Sequence, residues 1–116
     1  MNTETLNALK QVNALIGNLQ DALKDPTLKP QEKTLLKQAI NDQMDLQDSL
    51  IQDSLQAMVD KINAANTDLE ALTAKMEQTS EKLGKLAATI KKVSDVVGAL
   101  ADITAKAMSA GLLGGA

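Results

Sequence analysis

Three sets of side chains in this 116-residue sequence have the types and spacing to do chemistry: the aspartates Asp42, Asp45 and Asp48, the lysines Lys82, Lys85, Lys91 and Lys92, and the methionines Met44, Met58, Met76 and Met108. A spacing of three residues puts the aspartates on neighbouring parts of one helix face, where they could hold a divalent cation. A calcium loop, however, needs irregular backbone carbonyls and a turn-making glycine, and no glycine lies in this stretch. The aspartates therefore read as a solvated acidic face. The lysines could meet phosphates or an anionic leaflet, at about 1 kcal/mol each near such a surface. A hydrated face, or the complement of the aspartates, is the simpler use. Met58 and Met76 fall on an apolar stripe, so core filling is expected of them rather than an adaptable partner surface.

Missing residue types exclude more chemistry than the present ones suggest. The chain has no Phe, Tyr, Trp, Cys, His or Arg. Without Cys there is no disulfide, thiol nucleophile or thiolate metal site. Without His, the commonest general base is gone and triads of the Ser-His or Cys-His kind cannot form. With a net charge of −3, no ring to stack on a base and no Arg to read guanine, a nucleic-acid partner is not expected. The expectation is a non-enzymatic protein with no cofactor, no metal and no small-molecule substrate.

Met1-Asn2-Thr3-Glu4-Thr5-Leu6 shows neither a basic n-region nor an apolar h-region. Synthesis without a signal peptide is therefore expected, with the protein either cytoplasmic or exported by a leaderless route. No run of 18 uncharged apolar residues is present, which argues against a spanning helix.

What must position these residues is helix. Leu9, Val12, Ile16, Leu19 and Leu23 make an apolar stripe with 3-4 spacing, flanked by Leu6 and Leu15, and predict a helix over 5–24. Asp25-Pro26 stops it, and Pro30 suits the first turn of the next, which leaves 25–29 as a linker. Beyond Pro30 neither breaker recurs before Gly84. A seven-residue period runs through Leu55, Met58, Ile62, Ala65, Leu69, Leu72, Met76, Thr79, Leu83, Leu86, Ile90, Val93, Val97 and Leu100, with Thr79 the one polar member. Such a period is the signature of left-handed helix-on-helix packing.

An unbroken helix over residues 31–109 would be about 118 Å long and could not bury its own stripe. A hairpin is the expectation, with its turn near 63–67, where Thr67-Asp68-Leu69-Glu70 fits a capping box. Charge agrees, because folding about residue 67 brings Asp42 towards Lys92, Asp48 towards Lys85 and Asp53 towards Lys82. The resulting fold is all-α and one domain: a long antiparallel, coiled-coil-like hairpin of helices 30–64 and 67–110, a shorter N-terminal helix alongside, and a tail at 111–116 after the natural stop at Gly111.

The functional expectation follows from the stripe. Leu55, Met58, Ile62, Leu69, Leu72, Met76, Leu83, Leu86, Ile90, Val93, Val97 and Leu100 would join copies of the chain or partner helices, making it a binding or assembly subunit. The alternative is a leaderless membrane-active helical protein, such as a toxin or translocation-apparatus component. It would use the charge-poor C-terminal segment carrying Val96, Ile103, Ala107, Met108, Leu112 and Leu113, where small residues at four-residue spacing (Ala101, Ala105 and Ser109) permit close helix approach.

Overall fold

The computed structural model describes residues 3–52 and 54–111. It is all-helical: α1 spans Thr3–Leu23, α2 Pro30–Leu50, α3 Leu55–Thr79 and α4 Glu81–Ser109. Helix α1 packs on α2 and α4, and α3 packs on the same two, so the helices form an up-down-up-down bundle of 51 × 21 × 17 Å.

Local chemistry explains the first linker. Asp25 Oδ1 accepts from both Thr27 N at 2.8 Å and Thr27 Oγ1 at 2.7 Å, a side-chain turn that holds the chain around Pro26. Leu28, only 6% exposed, anchors the linker in the core. Pro30 opens α2, and the Glu32 carboxylate accepts from Lys29 N at 3.0 Å.

The expected helices 30–64 and 67–110 are corrected by the structure. The chain breaks after Leu50 and at Ser80, while 63–67 lies inside α3. Both true breaks are serine caps. Ser54 Oγ accepts from Ala57 N at 3.3 Å, and Ser80 Oγ accepts from Leu83 N at 3.2 Å. Thr67 makes no cap; its hydroxyl bonds back to Asn63 O at 2.9 Å, as a helix-interior threonine does. The physical reason is the stripe itself: Ile62, Ala65 and Leu69 are all buried, and only a continuous helix turns all three inward. In place of a two-helix hairpin with a shorter partner, the described residues fold into four helices of 21 to 29 residues.

The same correction removes the expected charge pairing. Lys82 pairs with Asp25 and Lys91 with Glu77. Asp42, on a helix packed against α1 and α3, faces Asp68 instead of Lys92, and Asp53 lies outside the described residues.

Without aromatics, the core is filled by Leu, Ile, Val, Met and Ala, including Leu36, Leu46, Ile62, Met76, Leu83 and Ile90 at 0% exposure. Leu86, by contrast, is only partly buried against that core. Leu83→Ala should therefore cost about 2–5 kcal/mol of stability and Leu86→Ala about half of that. Urea melts of the two variants compare the losses directly, and equal losses would contradict this placement of Leu83 and Leu86.

Candidate functional site

The heptad residues proposed for interaction stand mostly inside the bundle. Met58, Ile62, Leu69, Leu72, Met76, Leu83, Ile90, Val93, Val97 and Leu100 are buried, and Leu55 and Leu86 partly so. Their apolar surface is covered by this chain's own helices.

The C-terminal set separates into two groups. Val96 and Ile103 point outward at 39% and 66% exposure, whereas Ala107 and Met108 are half-buried. Leu112 and Leu113 lie outside the described residues. Gly111 does end the last helix: its φ is +73°, where a side chain would be strained, and its N–H donates to Met108 O at 3.1 Å.

Of the acidic set, Asp45 and Asp48 are exposed and Asp42 is half-buried. Asp42 shares a groove of about 320 Å³ with Asp68 of α3. Burial, then the charges of Asp68 and Asp45, push its carboxyl up to about 6. Among the described residues no group of three or more carboxylates is placed to hold a metal ion. The lysines divide as well, since Lys82 pairs with Asp25 of the first linker and Lys91 with Glu77 of α3, while Lys85 and Lys92 are exposed on the surface of α4. Met44 is exposed, and Met58 and Met76 are buried.

Three features went unnoticed in the sequence. One is Gln43, at 0% exposure, whose amide oxygen and nitrogen both lack a partner among the described residues. Its signal was available, because 36, 43 and 50 share one heptad register and both its mates are buried leucines. Another is the polar groove of about 700 Å³ between α3 and α4, lined by Asn63, Asn66, Lys91, Ser94, Asp95 and Gly98 among others. There Asn66 Nδ2 donates to Ser94 O at 3.2 Å, over the space that Gly98 leaves open. The last is the link from Glu32, an acid suited by sequence to the first turn of α2 and 8% exposed, to Ser80, whose Oγ donates to Glu32 Oε2 at 2.9 Å. The Lys29 amide, and then Ser80, hold its carboxyl below the ordinary range.

The chain is a four-helix bundle by architecture. Compared with protein-family models, curated proteins and solved structures, it matches none.

The Asn66–Gly98 contact supplies a test of the α3–α4 groove. A Cβ at Gly98 would stand 3.2 Å from Asn66 Nδ2, whereas one at Gly84 meets only ordinary contact at 3.9 Å. Gly84→Ala should stabilise by about 0.5–1 kcal/mol through helix propensity. Gly98→Ala should give no such gain until Asn66→Ala clears the space. A double-mutant cycle in urea reads the coupling, and strict additivity would show that the two residues do not meet.

Proposed function

We propose that this protein is a non-enzymatic helical binding or assembly module that takes a second copy of itself, or a partner helix, against α4 by packing of the coiled-coil kind. One observation carries the reading. Val96 and Ile103 stand outside the core one heptad apart on α4, at 39% and 66% exposure. Two large apolar side chains at that spacing are what a partner helix receives between its own residues. In this reading the inner stripe of α4 holds the bundle and the outer pair faces the partner.

A membrane surface is the second reading, favoured by the scarcity of charge on the same helix: after Val93 only Asp95, Asp102 and Lys106 are charged. No helix among the described residues is long and apolar enough to cross a membrane, so α4 would lie on a bilayer rather than span it.

Light scattering at high micromolar concentration tests the first reading. The expected result is a dimer or larger species that Ile103→Asp returns to monomer with its helicity intact. A monomer at every concentration would remove self-association. Flotation with anionic and with uncharged vesicles tests the second: binding that Ile103→Asp abolishes supports it, and no binding to either removes it.

A further inference from the structure

The bundle consists of two hairpins, α1–α2 and α3–α4, and the seam between them is unevenly held. At the end that carries the first linker and Ser80, two polar contacts clasp the hairpins: Lys82 pairs with Asp25, and Ser80 Oγ donates to Glu32 Oε2 at 2.9 Å. Midway along α2 the chemistry is opposite. Asp42 and Asp68, like charges on facing helices, line one groove, and Lys75 is the single cation among its lining residues. The adjacent residue, Gln43, is fully buried, with both amide atoms unpartnered among the described residues. A closed seam therefore holds a carboxylate pair that repels and a buried amide that no described residue pairs.

We infer that the hairpins part at mid-seam in a partial opening that ionised Asp42 promotes and protonated Asp42 suppresses, while the Asp25–Lys82 and Glu32–Ser80 clasp keeps the far end joined. Opening separates Asp42 from Asp68, gives the Gln43 amide access to water and, with the packing of α2 lost, lets its middle turns unwind, which frees the amides bonded within that helix. It concerns the bundle alone and does not depend on what α4 binds.

The sign of the pH effect follows from the groups involved. Asp42 is held at about 6 in the closed form, above its ordinary value. In the open form it returns to the usual carboxylate range. Closing therefore takes up a proton, so acidification towards that range favours the closed seam, and this advantage is lost as pH rises through about 6. The groups facing Asp42 are Asp68 and Lys75 from α3 and Asp45 from its own helix. Clasp carboxylates behave in the opposite sense. Lys82 and Thr27 hold Asp25 well below the ordinary carboxylate range, and Lys29 and Ser80 lower Glu32, so both stay ionised across the same window and fail only in stronger acid.

Native-state hydrogen exchange on the full chain, corrected for intrinsic rates, tests this. The amides of Gln43 to Leu46 should open about tenfold more often at about pH 7.5 than at about pH 5, while those of Ile90 and Val93 in α4 stay better protected at both. In Asp42→Asn the neutral-pH protection of α2 should rise to the acid level and its pH dependence should vanish. Gln43→Leu should raise protection at both pH values and leave the dependence in place. Equal protection of α2 and α4 at both pH values would overturn the inference. So would a pH dependence that survives Asp42→Asn.

Discussion

The Glu32 carboxylate accepts the Lys29 amide with one oxygen and the Ser80 hydroxyl with the other, so the start of α2 and the turn between α3 and α4 share one buried anion. Ser80 Oγ in turn accepts from Leu83 N and begins α4. Both hairpins are thus indexed to a single point. Shift either along the bundle and Glu32 loses a donor in a place where it is only 8% exposed. The Asp25–Lys82 pair beside this point is more open to solvent, with the lysine side chain 46% exposed, and adds direction more than strength.

Packing between those fixed points is done by small and flexible side chains. Ala8, Ala39, Ala87 and Ala101 are almost fully buried, which lets helix backbones approach, and Met76 fills space where other proteins place a ring. Close approach leaves little room for error in polarity. Gln43 stands in a leucine register with no partner for its amide among the described residues.

Much of this was legible in the sequence, and the failures have physical causes. Helix α1, the linker and the start of α2 came out within about two residues because proline acts through sterics that no tertiary context reverses. The breaks after Leu50 and at Ser80 were missed because they rest on serine hydroxyls with neither Gly nor Pro beside them. Thr79, the lone polar member of the heptad, sat next to the second break and marked it. The turn placed at 63–67 answered to a capping-box match, a weaker signal than the buried run through Ile62, Ala65 and Leu69. Once that turn was misplaced, the charge pairing built on it failed too. The facing of Asp42 and Asp68 was not readable at all, since it exists only when α2 and α3 are antiparallel neighbours.

Ser80 is the sole residue between α3 and α4, and a joint that short has no slack. Adding or removing a residue there could not be absorbed by a loop; it would turn α4 by about 100° and slide it about 1.5 Å against α3. The outward bearings of Val96 and Ile103 are therefore geared to a joint about 24 Å and about 35 Å away, respectively, along the helix axis. In lineages descended from this chain, length variation should collect at the α1–α2 linker and spare the α3–α4 corner, so that the corner behaves as a ruler and the linker as the adjustable part.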